Sequence, residues 1–265
     1  MAKKQYIWLI RYGKTEYPLK EHDGPYNSDI DPIVGKNHAQ CIADHISNFL
    51  SKQTFEIQIY SSPFLRCVHT ASIIGSKLKT KVWIEDGLYE WLVPSLLIER
   101  KTNQRTYPNT LEESNALFPD LIKLESSLNP YKIDESNDYF SFPETDELKL
   151  LSRCQDTLTL ILKDDRCKCR CRCGFDSEKD EHIIIVAHAP CVQALAFAME
   201  EDVDDVKDSK LTKWPLGGIT RFSRDILHGS QSYGKWNMDF YGMTDHMPGE
   251  YKNGIGLWSL SSFDK

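Results

Sequence analysis

Short apolar runs alternate along this chain with longer segments whose apolar residues recur every three or four positions. Tyr6-Ile7-Trp8-Leu9-Ile10 is an unbroken apolar run without a turn residue, the pattern of a strand buried on both faces. It stops at Arg11-Tyr12-Gly13, and a polar loop with Gly24, Pro25 and Pro32 follows. From about His38 to Leu50, the apolar positions Ile42, Ile46, Phe49 and Leu50 sit at helical spacing. Phe55, Ile57 and Ile59 alternate and predict a strand to Tyr60. Ser61-Ser62-Pro63 then offers a capping hydroxyl and a proline at the first helical position. The helix so opened, over 64–78, is apolar at Leu65, Val68, Ile73, Ile74 and Leu78.

Val82-Trp83-Ile84 predicts a short strand. A helix over 144–163 places Leu148, Leu151, Leu158 and Leu162 on its core face. His182 to Ala187 is a further buried strand, and Pro190 opens a helix carrying Val192, Leu195, Ala196 and Met199. Strands over 218–224 and 235–241 precede an irregular tail. Two stretches interrupt the alternation. Residues 91–143 hold Pro94, Pro108, Pro119, Pro130 and Pro143 and are too long for a plain connection, so they read as an inserted cap. Residues 164–181 form a charged, cysteine-rich insertion. The order of elements predicts one α/β domain over 1–265, a three-layer α/β/α sandwich with a mostly parallel central sheet.

Composition narrows the function classes. With 32 Lys and Arg against 39 Asp and Glu among 265 residues, the net charge is −7. Such a chain gains nothing overall from phosphate-backbone attraction, which argues against a general nucleic-acid binder. The apolar stretch 183–199 contains His188, Pro190 and Gln193 and is shorter than a membrane span requires. No secretion signal is legible at the start, so a cytoplasmic or nuclear setting with reduced thiols is expected for the 8 cysteines.

The chemistry-bearing residues stand at strand ends, where α/β folds build their sites. The first strand ends in Arg11, the second leads into Ser61-Ser62-Pro63 and Arg66, and the late strand ends in His188. Two guanidinium groups, an imidazole and two helix N-termini at one sheet edge would make an anion pocket. Separately, Cys167, Cys169, Cys171 and Cys173 alternate with Lys168, Arg170 and Arg172. In an extended segment the four sulfurs would share a face and could take zinc or Cu(I). Their spacing is not that of a zinc ribbon or knuckle, and the bland reading is an exposed insertion without a ligand.

Five segments, in order, resemble the histidine phosphatase superfamily, also called phosphoglycerate-mutase-like proteins. LIRYGKTE resembles the signature strand that ends in Arg-His-Gly. Asp31-Pro32-Ile33-Val34 with Gln40 is similar to the Pro-Leu-Thr…Gln-Ala stretch, and Ser61-Ser62-Pro63-Phe64-Leu65-Arg66…Thr70-Ala71 to the Ser-Ser-Pro…Arg…Thr-Ala motif. Gly87-Leu88-Tyr89-Glu90-Trp91 resembles the segment with the proton-donating carboxylate, and Ile184-Ile185-Val186-Ala187-His188 the strand with the second histidine. Phe64 and Tyr89-Glu90-Trp91 look more like the eukaryotic branch that holds phosphatase-like regulators and an RNA polymerase III transcription-factor subunit than like glycolytic mutases.

The resemblance implies a two-step phosphoryl transfer without a metal or other cofactor. The signature histidine attacks phosphorus, and a carboxylic acid protonates the leaving oxygen and then activates water. Arginines and the second histidine hold the non-bridging oxygens. Carried over by residue, Arg11, Arg66 and His188 hold phosphate, Glu90 is the acid, and Tyr12 stands at the nucleophile position. A phenol titrates near ~10 where an imidazole titrates near ~6.5. A cluster of cations would lower the phenol by a few units at most, and an aryl phosphate would hydrolyse far more slowly than a phosphohistidine. Pro18 also stands where many members carry a phosphate-contacting Asn.

The expectation is therefore a pseudophosphatase that binds a phosphorylated small molecule or phosphoprotein, with a protein partner possible and no membrane contact. The alternatives are a phosphomonoesterase with a substitute nucleophile, such as His188 or a water activated by Glu90, and a metal or redox module on the cysteine tract.

Overall fold

A computed structural model describes residues 3–16, 27–51, 55–91, 108–130, 147–164, 179–200, 214–227 and 232–256. Strand β1 (Lys4–Arg11) shows why a continuous apolar run belongs at the centre of a sheet. Its side chains alternate between two separate cores: Ile7 and Leu9 enter one, Tyr6, Trp8 and Ile10 the other. Strand β2 (Phe55–Ser61), β3 (Val82–Ile84) and β4 (Asp180–Ala187) run parallel to it. Strand β5 (Ile219–Leu227) pairs antiparallel to β1 and carries β6 (Ser232–Tyr233) and β7 (Asn237–Met243) on its other edge. The order is β3-β2-β4-β1-β5-β6, with β7 also on β5.

Helices α1 (Val34–Leu50) and α2 (Leu65–Leu78) bury Ile42, Ile46, Val68 and Ile74 in one core. Helices α4 (Glu147–Lys163) and α5 (Ala189–Phe197) bury Leu150, Leu158, Val192 and Leu195 in the other. The result is the α/β/α layering that the alternation of elements predicts, with a short α3 (Leu111–Leu117) beyond it. Among the described residues, no helix is long and apolar enough to cross a membrane.

Two local expectations change. Leu148 is 77 % exposed, because the inward stripe of α4 runs instead through Leu150, Cys154, Thr157, Leu158 and Ile161. Helix α2 begins one turn-step later than its proline suggests: Phe64 is the N-cap, without a side-chain cap bond. The cap comes from elsewhere, as Leu65 N–H donates to Asn27 Oδ1 at 2.8 Å. Of the stretch read as a cap, residues 108–130 dock at the β3 edge. Val82 N–H donates to the Leu121 carbonyl and Lys123 N–H to that of Val82. Glu85 accepts from Ser127 Oγ–H and from the Leu128 and Asn129 N–H groups. The cysteine tract 167–173 and Pro18 lie outside the described residues.

Parallel register is what builds the site. Arg11 pairs with Ala187, Ser61 with Val186, and Ile84 with Ser61, so four strand ends finish in one row. The loop after β1 is held there by two glycines. A Cβ on Gly13 would stand 2.7 Å from the Gly35 carbonyl oxygen, and one on Gly35 would stand 2.2 Å from that of Lys14. Strand end and helix start therefore touch backbone to backbone.

Candidate functional site

Along that row the structure brings together Arg11, Tyr12, Arg66, Glu90 and His188. Tyr12 is the hub. Its ring is 2 % exposed and lies 5.4 Å from the His188 ring centroid, edge to face. The Arg66 guanidinium carbon stands 5.0 Å from the centre of the phenol ring, and that of Arg11 stands 5.6 Å from it. Burial raises the phenol above its ordinary value, and the two arginines pull it down without prevailing. The cations thus do not make Tyr12 a phenolate.

His188 is the N-cap residue of α5, with Pro190 within the first turn, as the strand–proline pattern predicts. It is fully buried between two polar partners. Nδ1 lies 2.9 Å from Glu90 Oε2, and Nε2 lies 2.7 Å from Ser62 Oγ. Burial pushes the imidazole down to about 4; Glu90 resists and Arg66 assists. For Glu90, burial acts upward, but His188, Arg66 and the Trp91 N–H together hold the carboxyl down at about 2. Near neutral pH the pair is therefore a carboxylate and a neutral imidazole. An ionised carboxylate only accepts, so His188 Nδ1–H donates to Glu90, and Nε2 accepts from the Ser62 hydroxyl. Arg66 Nη2 sits 3.3 Å from Glu90 Oε2 and 3.3 Å from His188 Nδ1.

Arg11 differs from Arg66 in its pairing. It is 9 % exposed. Nη1 donates to the Trp214 carbonyl at 2.5 Å and to the Gly256 carbonyl, while Nε is buried without an acceptor. Among the described residues no carboxylate pairs with it. The loop bearing Glu90 is fixed from behind: Arg153 Nη1 donates to the carbonyls of Gly87 and Tyr89 at 2.8 and 3.0 Å. Cys191 Sγ–H also reaches the Tyr89 carbonyl, at 2.9 Å.

Sequence reasoning assigned no site role to four of these groups. Ser62 read as a helix cap, yet it holds His188; its place at a strand end was the available signal. Arg153, and the carbonyls of Trp214 and Gly256, left no local signature. Among the described residues, no group of three His, Cys, Asp or Glu side chains is arranged to hold a metal.

The fold and its strand-end cluster of arginine, carboxylate and imidazole define a class: an α/β protein with a buried polar cluster where its parallel strands end. Residues 7–120 match the sequence profile of the histidine phosphatase superfamily (branch 1). No curated protein matches this chain by sequence.

Solved structures share the fold at low identity. A mycobacterial glucosyl-3-phosphoglycerate phosphatase complexed with VO3 is 17% identical, with a TM-score of 0.56 over 89% of this chain and 98% of that one. The phosphoserine phosphatase of Entamoeba histolytica, in complex with 3-phosphoglyceric acid, is 20% identical, with a TM-score of 0.52 over 92% and 100%. The ecdysone phosphate phosphatase of Bombyx mori, in complex with tungstate, is 16% identical, with a TM-score of 0.57 over 89% and 92%.

Proposed function

We propose that this chain is a phosphate-pocket protein of the superfamily that has given up the phosphohistidine route. It binds a phosphorylated ligand or partner and turns it over poorly or not at all. One observation carries the reading: Arg11 is a buried cation with an idle Nε–H and, among the described residues, no carboxylate partner, beside Arg66 and His188. Buried charges are ordinarily paired, so this arrangement calls for an anion from outside. Relatives of this fold take vanadate, tungstate or 3-phosphoglyceric acid, which agrees with an oxyanion at the strand ends.

Two features support loss of turnover. Tyr12 stands where the resemblance places the nucleophile, and burial keeps its phenol protonated. Glu90 is ionised while the site is closed upon itself, so it has no proton to give a leaving oxygen at neutral pH. His188 is a poor substitute nucleophile, because Nδ1 carries the proton given to Glu90 and Nε2 is occupied by Ser62. The metal or redox reading of the cysteine tract, the cap and a cytoplasmic or nuclear location remain proposals beside this one. Elemental analysis for zinc and copper tests the first.

The test pairs calorimetric titration with inorganic phosphate against steady-state release of nitrophenol from an aryl phosphate. The expected result is saturable binding without turnover, with binding weakened on the order of 10–100-fold in Arg11→Met. Robust native hydrolysis with a trapped phosphoenzyme overturns the reading, and so does an absence of any oxyanion binding.

A further inference from the structure

Past β7 the chain turns back over α1. Met247 N–H donates to the Thr244 carbonyl, and a 3₁₀ helix follows over Gly249–Asn253. The segment then reaches the strand-end row. The Ile255 carbonyl accepts from Leu216 N–H at 2.9 Å, and the Gly256 carbonyl accepts from Arg11 Nη1. Main chain is pressed close in this docking: a Cβ on Gly217 would stand 2.2 Å from Met247 Cε, and one on Gly256 would stand 2.7 Å from Leu216 Cδ1. Met247 enters the core, and Tyr251 packs at its edge.

Three imidazoles meet where this segment crosses α1. His38 and His45 stand seven residues apart on one helix face, and His246 comes from the segment itself. His246 Nε2–H donates to the Gly217 carbonyl at 3.1 Å, so Nδ1 is left as a bare acceptor, buried and without a partner among the described residues. The His45 ring lies 5.5 Å from that of His246. His38 is fully buried under the Tyr251 ring, which meets it edge-on at 4.7 Å. Neither of its ring nitrogens has a partner among the described residues. A second proton on His38 or His246 thus finds no acceptor, and a buried donor left unmet is costly. Charged together, His45 and His246 also repel at close range.

We propose that residues 244–256 are an acid-released strap, which the His38, His45 and His246 cluster holds against α1 while neutral and lets go when protonated, taking the Gly256 carbonyl away from Arg11. Release stands independently of the phosphate-pocket reading; only its effect on ligand affinity rests on that reading.

Burial is the first cause that holds all three imidazoles below their ordinary value, His246 at about 4. From the loop after β1, Lys14 pushes His38 the same way, while Asp31 ahead of α1 opposes it. From β5, Arg221 lowers His45, with Asp239 of β7 at 2.7 Å from its Nε. His45 and His38 lower His246, and the Gly217 carbonyl and Asp245 oppose them. The other charges on α1 are Lys36 and Asp44, the latter paired with Lys77 of α2 at 2.6 Å. Glu250 and Lys252 are the strap's remaining charges, and its Tyr251 phenol stays neutral below pH ~8. Once released, each imidazole titrates near ~6.5. The released form therefore takes up protons first as pH falls. The strap is fully held above ~6.5 and loosens below it, by up to about tenfold per group and pH unit.

Hydrogen exchange of the full chain at pH 7 and at pH 5.5, read by mass spectrometry and corrected for the intrinsic rate, tests release. Protection over 214–218 and 244–256 should fall on the order of 10²-fold, while β1 and β4 keep theirs. His38→Leu combined with His246→Gln, whose amide still donates to the Gly217 carbonyl, should hold that fall below about tenfold; thermal unfolding checks that it folds. Should it not fold, His246→Gln alone decides, and a fall as large as in the native chain overturns release. A strap whose protection follows that of β1 at both pH values, or falls equally in the double variant, also overturns it. Calorimetric titration at pH 5.5 should show inorganic phosphate bound several-fold more tightly by the native chain than by the double variant, because Arg11 Nη1 is freed. Equal affinity overturns the link to Arg11. Absence of phosphate binding in both chains overturns the pocket and leaves release standing.

Discussion

Two buried histidines stand six residues apart, one within β4 and one just past its end, and only the second joins the strand-end cluster. His182 enters β4, and its ring stacks on Tyr6 at 4.6 Å with Phe49 and Phe55 edge-on. Its Nδ1 accepts from Trp8 Nε1–H at 3.2 Å. Burial drives it down to about 3, with Arg221 acting the same way. His188, just past the end of the strand, is driven down to about 4 by the same burial. Depth and a shifted titration therefore do not separate them. Their partners do: aromatic rings surround one, while a carboxylate, a guanidinium and a hydroxyl meet at the other.

The nearby arginines repeat the contrast. Arg221 lies 4.3 Å from the Phe49 ring centre and 4.9 Å from that of Trp8, with Asp239 Oδ2 at 2.7 Å from Nε. It is a satisfied structural cation. Arg11 has the Tyr12 ring, two backbone carbonyls and a spare donor, and no carboxylate among the described residues.

The largest test of this contrast is Tyr12→His. If the cluster around His188 is intact machinery short of a nucleophile, this variant gains aryl phosphatase activity on the order of 10²–10⁴ above the native chain. A phosphohistidine should be trappable at acid-quench. A variant that folds and stays silent would mean that more than the nucleophile has been lost.

Next in size is the arginine pair. Arg11→Met should weaken phosphate binding on the order of 10–100-fold while leaving the fold at least as stable, since it removes an unmatched buried charge. Arg221→Met should do the reverse, costing about 1–2 kcal/mol in denaturant unfolding and leaving phosphate affinity alone. If both behave alike, the distinction between structural and site cations collapses.

The smallest effect is on pH and stability. A histidine held neutral at about 3 in the fold, as His182 is, titrates near ~6.5 when unfolded. The unfolded chain takes up the proton first as pH falls, so stability is fully present above ~6.5 and declines below it. His182→Phe should flatten that decline between about pH 6 and pH 4 by up to ~1.4 kcal/mol per pH unit, read from thermal unfolding.

These distinctions were only partly legible beforehand. The central strand, both flanking helix pairs and the strand-end positions of Arg11, Arg66 and His188 follow from apolar spacing, and Glu90 from motif order, because both are local. Leu148 misled because a helix stripe can be drawn through either of two neighbouring rows, and only packing against α5 selects one. Ser62 misled because a hydroxyl before a helix is usually a cap. Here parallel register set it against a ring 126 residues away. The carbonyls that take Arg11 lie 203 and 245 residues along the chain, and no local pattern announces such partners.

The contact between Gly13 and Gly35 makes the seat of Tyr12 a matter of main chain alone. With strand end and helix start already touching, a methyl group at either glycine would act as a wedge and prise the turn away from the helix. The address of the buried phenol is thus set by two neighbours that have no side chain.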